Sequence, residues 1–401
     1  MLILYPSNWL YNAGVIGFLK VIESCGENVE NFLKDDGSVE IDLSLFDKIK
    51  IGGAEIPKFI KCLVDYLVDD EDLNKWKQEK DKSGKTNEEK FKEFKDKFGD
   101  DFGYKFIRAG NKLFASKTPF QNLVQREEWQ NFEFANLISK IPEIVNSTNR
   151  ETVCSICGNY NVKIFDPESK LEKRLKNLQI THLKELGPSI GEFPNAFWQL
   201  KSSAPVCLIC ITLILCHKES LISLSDNSEI FINAPSFIVM WYLNKYAKTI
   251  YSKKQAKTLK EILGMSLIEL AIKLNLQLGR WTSMSIEVVS KYKDEISFFS
   301  LPYEVAQLLS NKSIANLLDQ IGEFKILNMV LDGKFNEILE FSERVFRIAL
   351  KPKNEWGKHE NEFINENVKL EGNKNNLTSF SQNLFKLYAL IEEEIKKEVL
   401  R

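Results

Sequence analysis

The sequence has very little histidine, and the residue patterns of the common enzyme classes are missing. Three histidines, His182, His217 and His359, occur in 401 residues, and no HExxH, nucleophile-elbow or protein-kinase motif includes them. The segment Ser83–Thr86 matches the end of a phosphate-binding loop, but Glu79 stands where the first glycine of that loop is required, and a carboxylate there would repel phosphate. We therefore expect no catalytic residues and a protein that is not an enzyme.

Long apolar runs are absent too. The longest, Ala204–Cys216, has 13 residues, whereas a helix needs about 20 to cross a bilayer. The first eight residues lack the basic and apolar regions of a secretory signal, so we expect a cytoplasmic protein without a membrane partner. In that reducing compartment the seven cysteines should not form a disulfide framework, and Cys25 and Cys62 are expected to be buried thiols on amphipathic helices.

The chain has no excess of positive charge. Its 54 Lys and Arg residues are balanced by 56 Asp and Glu residues, which leaves a net charge of −2. This balance excludes a histone-like cationic surface, so any surface that binds nucleic acid must be a local patch. With 44% apolar residues, the chain is long enough for about two or three domains with their own cores.

The hydrophobic pattern predicts an α+β protein. In the N-terminal part it indicates a helix over Trp9–Glu23, a short strand over Val39–Leu45, a turn at Gly52–Gly53 and a helix over Lys58–Val68. Residues 69–101 are so rich in charge that we expect a solvated helix or a mobile insertion there.

From about Ser236 onward the apolar residues recur every three to four positions, which is typical of a helical bundle. We therefore predict a mixed N-terminal α+β domain over 1–240 and an all-α C-terminal helical bundle over 241–401. The N-terminal domain would contain an inserted zinc-type subdomain at about 150–215.

That subdomain is predicted from two C-x-x-C pairs, Cys154/Cys157 and Cys207/Cys210, which are separated by 49 residues. The two-residue gap lets both thiolates of a tight turn face one metal ion, and two such turns complete a tetrahedral four-sulfur shell that suits Zn²⁺. A four-thiolate site has no open position for catalysis, so we expect structural zinc. Redox chemistry remains the alternative, although a redox C-x-x-C usually stands alone near a βαβ pattern.

Two windows without any acidic residue, 102–126 and 230–260, are candidate nucleic-acid surfaces. Lysines at helical spacing can follow a phosphate backbone, and amides on a loop can read base edges. For each window the alternative is a solvated lysine face with its aromatic residues in the core. The candidate contacts are Arg108, Lys112, Lys117, Gln121 and Asn122 in the first window, and Lys253, Lys257 and Lys260, expected on one helical face, in the second.

Taken together, these motifs resemble one family. They are the opening segment Asn8-Trp-Leu-Tyr-Asn-Ala-Gly-Val-Ile-Gly-Phe18, the two C-x-x-C pairs with their long spacer, the Pro194–Trp198 segment before Pro205-Val-Cys207, and the helical C-terminus. The chain is similar to the CXXC–CXXC large-subunit family of type I-B CRISPR effector complexes (Cascade).

The resemblance implies a role in antiviral DNA surveillance. A large subunit of this kind recognises the protospacer-adjacent motif in duplex DNA, aids strand separation and helps to recruit a helicase-nuclease, while the guide RNA reads the target by base pairing. The implied partners are the guide RNA, the backbone subunits of the complex, the target duplex, the displaced single strand and the helicase-nuclease. The C-terminal bundle would be similar to the small subunits that line the displaced strand.

Two other classes of protein fit the same residues. A stand-alone, zinc-stabilised nucleic-acid-binding protein would use the same cysteines and basic windows without a guide RNA. A thiol oxidoreductase would use a reactive, metal-free C-x-x-C pair.

Overall fold

A computed structural model describes most of the chain. The chain divides into two compact units, and the first consists of Met1–Glu229, Ser236–Ile238 and Lys291–Ile296. The second consists of Ile230–Pro235, Val239–Ser290 and Ser297–Arg401. Within the described part of the chain, no helix combines the length and the apolar character that crossing a membrane requires. The described residues are 1–115, 122–147, 151–179, 203–253, 258–274, 285–292 and 295–399.

The first unit begins with a strand and a buried helix. Strand β1, Leu2–Leu4, pairs antiparallel with β2, Val39–Ile41, so that Leu2 lies opposite Ile41. Helix α1, Trp9–Ser24, confirms the predicted helix. Its N-cap is Asn8, whose side chain accepts a hydrogen bond from the Tyr11 backbone N–H, the usual way of satisfying a free amide at a helix start.

A hairpin and a second helix follow. Strands β3, Lys48–Ile51, and β4, Ala54–Pro57, pair across the predicted turn at Gly52–Gly53, and α2 covers Lys58–Leu67. The predicted strand over Val39–Leu45 is too long. It ends at Ile41 because Asp42 caps a 3₁₀ turn over Leu43–Phe46 by accepting a hydrogen bond from the Ser44 backbone N–H.

The charged segment 69–101 forms short helices that are exposed along most of their length, as the solvated-helix prediction expects, and are fixed by a few buried apolar residues. Trp76 and Phe98 are 3% and 1% exposed, so apolar residues spaced along a charged sequence suffice to anchor it. Its helices are α3, Asp70–Gln78, α4, Asn87–Lys90, and α5, Lys92–Phe98; they are followed by α6, Phe102–Leu113, α7, Arg126–Gln130, α8, Glu133–Ile138, and α9, Ile141–Val145.

The expectation that Cys25 and Cys62 are separate thiols is wrong in this structure. They form a disulfide between the C-terminal end of α1 and the middle of α2, with Cα atoms 5.6 Å apart. Cys62 is buried as expected, whereas Cys25 is half-buried. Sequence spacing gave no sign of the pairing, because the two residues meet only through the packing of the two helices.

The cysteine-containing part of the first unit has short elements. Helix α10, Lys170–Lys176, runs into β5, Asn177–Leu178, which pairs antiparallel with β6, Ala204–Pro205. Helix α11, Leu208–Leu215, and the short helix α12, His217–Ser220, come next.

The region predicted to be entirely helical contains strands. Between Glu287 and Ser300 the sequence is rich in β-branched and aromatic residues, which are common in strands. The strands β7, Ile222–Ser223, β8, Glu229–Asn233, β9, Glu287–Tyr292, and β10, Glu295–Ser300, form a sheet in the order β10-β9-β8-β7.

The second unit is otherwise helical, as predicted. Buried Glu323 stabilises the start of the helix over Glu371–Asn375. Its carboxylate accepts hydrogen bonds from the backbone N–H groups of Lys369 and Leu370 and from the Asn373 side chain. Its helices are α13, Phe237–Ser252, α14, Leu259–Leu274, α15, Tyr303–Ser310, α16, Lys312–Ile321, α17, Phe324–Leu331, α18, Phe335–Ala349, α19, Lys358–Asn367, α20, Glu371–Asn375, and α21, Leu377–Val399.

Candidate metal centre

The four cysteines of the two C-x-x-C pairs meet in the first unit. All four sulfur atoms lie within 4.8 Å of one another. The Sγ atoms of Cys154 and Cys210 are 3.7 Å apart, and those of Cys157 and Cys207 are 3.9 Å apart. A regular tetrahedron with metal–sulfur bonds of about 2.3 Å has edges of about 3.8 Å. The four residues therefore could hold one metal ion in a tetrahedral shell.

The first pair stands on a tight turn that needs its glycine. Gly158 has φ +62° and its N–H donates to the Cys154 carbonyl over 3.0 Å. This backbone turns the N–H groups of Ile156 and Tyr160 towards the sulfur atoms of Cys154 and Cys157, at 3.4 and 3.5 Å. Glycine adopts a positive φ without steric cost, whereas other residues rarely do. The glycine at position 158 therefore permits this turn.

The second pair stands at the start of a helix. Cys207 is the N-cap of α11, and its sulfur accepts a hydrogen bond from the Cys210 backbone N–H over 3.5 Å. The positive end of the helix dipole favours a thiolate at this position. The two pairs are tied together by backbone, because the Ser155 N–H donates to the Pro205 carbonyl over 2.8 Å.

Helix α1 packs against the second cysteine pair's helix through two glycines. A Cβ atom on Gly14 would lie 2.6 Å from the Leu213 carbonyl oxygen, and one on Gly17 would lie 1.8 Å from that of Cys216. Near the first pair, the Ser7 hydroxyl donates to the Ile156 carbonyl over 2.9 Å. Residues 8–18 thus pack against the helix that begins at the second pair, and Ser7, directly before them, bonds to the turn of the first pair.

The four thiols do not ionise equally. A hydrogen bond from Cys154, followed by those from Cys207 and Cys210, lowers the pKa of Cys157, whereas burial raises the pKa values of Cys207 and Cys210 well above their usual range. A divalent cation at the centre would offset the cost of burying all four as thiolates. Each thiol touches one from the other pair, which is unlike an isolated redox pair and leaves no open coordination position.

The first basic window is paired with acids from a neighbouring helix. Arg108 on α6 donates to both carboxylate oxygens of Asp72 on α3, at 2.9 and 3.0 Å. Lys112 donates to the Leu67 carbonyl over 2.6 Å and lies 3.2 Å from Asp72. These contacts lower the pKa of Asp72, with the Arg108 hydrogen bond as the largest cause. No acidic residue occurs within the window itself, but Asp72 of α3 lies next to its cations in the folded chain.

Asn122, on the loop that follows α6, is exposed. Lys117 and Gln121 lie outside the described residues, as does Lys257. Of the two predicted loop amides, the structure therefore describes Asn122 alone.

The second window does not form one continuous lysine-bearing helix. Helix α13 ends at Ser252 and α14 begins at Leu259, so Lys253 lies in the turn after α13 whereas Lys260 lies within α14. Lys260 is bonded to Asp332. The structure therefore does not place Lys253 and Lys260 on one helix, and Lys257 lies outside the described residues.

Sequence reasoning gave too little weight to an exposed face of α13. Lys245 and Lys248 are exposed on this helix, and Lys253 is exposed in the turn directly after it, where its N–H donates to the Thr249 carbonyl over 3.2 Å. Among the described residues, none of the three forms an ion pair with a carboxylate. Beside them, the rings of Tyr242 and Tyr246 stack with centroids 6.1 Å apart. In the sequence, the three-residue spacing of Lys245 and Lys248 was the feature that could have indicated this exposed surface.

In comparisons with known proteins, no family model, no curated protein and no solved structure matches this chain.

Proposed function

We propose that the chain is a non-catalytic nucleic-acid-binding subunit whose first unit is stabilised by one structural Zn²⁺. The proposed ligands are Cys154, Cys157, Cys207 and Cys210. Zinc is the metal we expect because it is borderline soft and four-coordinate, and the sulfur separations suit a tetrahedral site with four thiolates.

The exposed lysine face of α13 is the observation that carries the nucleic-acid assignment. Two exposed cations, Lys245 and Lys248, lie on a helix that has no acidic residue, and a third, Lys253, follows in the turn at its end. Cations spaced in this way can neutralise phosphates of a nucleic-acid backbone. By contrast, the cations of α6 already neutralise acids of their own chain, so we expect them to contribute less.

Within this class, the resemblance suggests the large subunit of a type I-B CRISPR effector complex. Support comes from the opening segment, since residues 8–18 pack against the helix that carries the second cysteine pair and the adjacent Ser7 bonds to the turn of the first. In that role the chain would recognise the protospacer-adjacent motif in target DNA and help to separate its strands. It would work with guide RNA and backbone subunits, and with a helicase-nuclease that cuts.

The first experiment measures binding of the full chain to single-stranded and duplex DNA by fluorescence anisotropy at several salt concentrations. We expect the triple variant Lys245→Ala/Lys248→Ala/Lys253→Ala to weaken binding to all sequences. The slope of log affinity against log salt should fall by about 0.7 to 0.9 for each lost phosphate contact. Such a change would show that this face follows the backbone.

The matched control is Lys334→Ala/Lys358→Ala/Lys396→Ala. These three lysines belong to the same unit, and each pairs with a glutamate. Their removal changes the net charge by the same amount as the first triple variant but leaves the lysines of α13 in place. Equal losses of affinity in both triple variants would mean that only net charge matters and would remove the assignment of α13.

The class of subunit is tested separately by co-expression with the guide RNA and backbone subunits of a type I-B complex. Stoichiometric co-purification supports the large-subunit proposal. A chain that binds DNA alone and never joins the complex would instead be a stand-alone nucleic-acid-binding protein.

A further inference from the structure

Tyr11 has a buried hydroxyl group without a partner. The residue is 0% exposed, and no described residue forms a hydrogen bond with its Oη atom. Its position is fixed by the first turn of α1, where its backbone N–H donates to the Asn8 side chain over 3.1 Å. A buried hydroxyl without a hydrogen bond costs about 1–3 kcal/mol, so its persistence at this position requires an explanation.

Tyr11 precedes Gly14 by three residues, and Cys210 precedes Leu213 by three. Because Gly14 packs on Leu213 and Gly17 packs on Cys216, the same register between α1 and α11 places Tyr11 beside Cys210. Burial raises the pKa of Tyr11 well above its usual value, and the charges of Cys210, Cys157 and Cys207, in that order, raise it further. The phenol therefore keeps its proton and can only act as a donor towards these negative neighbours. Cys210 exerts the largest of the three charge effects.

Cys210 is also the ligand that lacks a backbone donor. Cys154 accepts the Ile156 N–H, Cys157 accepts the Tyr160 N–H, and Cys207 accepts the N–H of Cys210 itself. Among the described residues, the sulfur of Cys210 receives a hydrogen bond only from the Cys154 thiol, over 3.7 Å. That proton is lost when Cys154 becomes a metal-bound thiolate.

A second tyrosine beside the site cannot take this role. The Tyr160 hydroxyl accepts the Ile3 N–H over 2.9 Å and donates its own proton to the Ile3 carbonyl over 2.8 Å. Its donor is already used to hold β1, whereas the donor of Tyr11 is available.

We propose that Tyr11 is a positioning residue of the metal centre, whose hydroxyl donates a hydrogen bond to the Cys210 thiolate when metal is bound. Four thiolates around a divalent ion carry a net charge of −2 in a buried site, and each donor to sulfur stabilises that charge. The inference rests on metal binding by the four cysteines, which is part of the proposed function, and is independent of nucleic-acid binding.

The test compares Tyr11→Phe with the matched control Tyr160→Phe in the full chain. Zn²⁺ affinity is measured by competition with a chromogenic chelator, and the sulfur-to-metal charge-transfer band is measured after Co²⁺ substitution. For Tyr11→Phe we expect one metal per chain, affinity weaker by about 10- to 100-fold, and a band shifted to lower energy, because an unbonded sulfur gives up electron density more easily.

Tyr160→Phe should lower the unfolding temperature, since it loses both bonds to Ile3, but leave the charge-transfer band in place. A wild-type Co²⁺ spectrum together with wild-type Zn²⁺ affinity in Tyr11→Phe would overturn the proposal. If the wild-type chain itself binds no stoichiometric metal, the metal centre fails, and this inference fails with it. A failure of DNA binding alone would leave both intact.

A measurement on the wild-type chain covers the case in which Tyr11→Phe does not fold. In the ¹¹³Cd-substituted protein, the slowly exchanging hydroxyl proton of Tyr11 should show coupling to the metal through the hydrogen bond to Cys210. A visible hydroxyl proton without this coupling would also overturn the proposal.

Discussion

Gly17 lies where α1 and the chain after α11 come into contact through backbone atoms. A Cβ atom at this position would be 1.8 Å from the Cys216 carbonyl oxygen, and backbone cannot move aside as a side chain can. We expect Gly17→Ala to lower the free energy of unfolding by about 2–4 kcal/mol, because the helices must separate to admit one methyl group. Urea denaturation followed by circular dichroism measures the change.

The control for this prediction is Gly372→Ala. No heavy atom lies within 4 Å of a Cβ built on Gly372, and the residue is helical, so alanine should be neutral or stabilise the chain by up to about 1 kcal/mol. If both substitutions have the same effect, helix propensity rather than close packing governs Gly17.

At the scale of single residues, the sequence predicts which side chains could bind a metal ion better than it predicts which residues lie next to them in the fold. The four cysteine ligands could be predicted because a two-residue gap constrains where two thiols can point, whatever the rest of the fold. Nothing in the sequence indicates that Tyr11 has an unused donor while Tyr160 does not, since that difference depends on the position of Ile3. The Cys25–Cys62 disulfide was missed for the same reason.

Asp72 shows how one element changes the character of another. It joins α3 to Arg108 and Lys112 of α6, and its lowered pKa means that its carboxylate stabilises the folded state above the unfolded pKa of about 3.9. We expect Asp72→Asn to lower the free energy of unfolding at pH 7 by about 1–2 kcal/mol. The difference from wild type should shrink as the pH falls below about 4, because the unfolded chain then binds a proton at Asp72, and it should vanish once the pH is below the lowered pKa of the folded chain. Unfolding curves from pH 3 to pH 7 measure it.

Glu71→Gln provides a matched control on the same helix. Glu71 pairs with Lys75 on an exposed surface, so the same loss of one charge should cost less than about 0.5 kcal/mol. Equal losses of stability in the two variants would contradict the structural role of Asp72.

The variants Asp72→Asn and Glu71→Gln also test whether the first basic window binds DNA. If α6 contacts DNA, Asp72→Asn frees two cations and should raise DNA affinity more than Glu71→Gln does.

At the scale of elements, the sequence predicts periodic helices well and spatial neighbours poorly. The helices at Trp9 and Lys58 were placed to within about a residue because their apolar spacing is regular. The window 102–126 looked purely basic because the acids of α3 come some 30 residues earlier along the chain. Strands β9 and β10 were missed because short apolar stretches fit a strand or a helix equally well until their sheet partners are known.

The whole molecule consists of two units with separate cores, and among the described residues the cysteine cluster that could hold a metal ion lies in the first. Binding of structural zinc contributes roughly 10–16 kcal/mol in zinc-finger peptides, which equals or exceeds the total stability of about 5–15 kcal/mol of an ordinary domain. A first unit that depends on this energy should unfold without metal. The helices of the second unit bury their own apolar stripes and contain no ligand of the metal.

We therefore expect Cys157→Ser, or removal of metal by a strong chelator, to unfold the first unit selectively. Hydrogen exchange followed by mass spectrometry should show loss of protection in α1, α10 and α11, while helices between Tyr303 and Val399 keep theirs. Cys216→Ala is the control, because this buried thiol is outside the metal cluster and its loss leaves all four ligands in place. Uniform loss of protection across both units would show that they fold as one cooperative body, and unchanged protection in the first unit would show that its core does not need the metal.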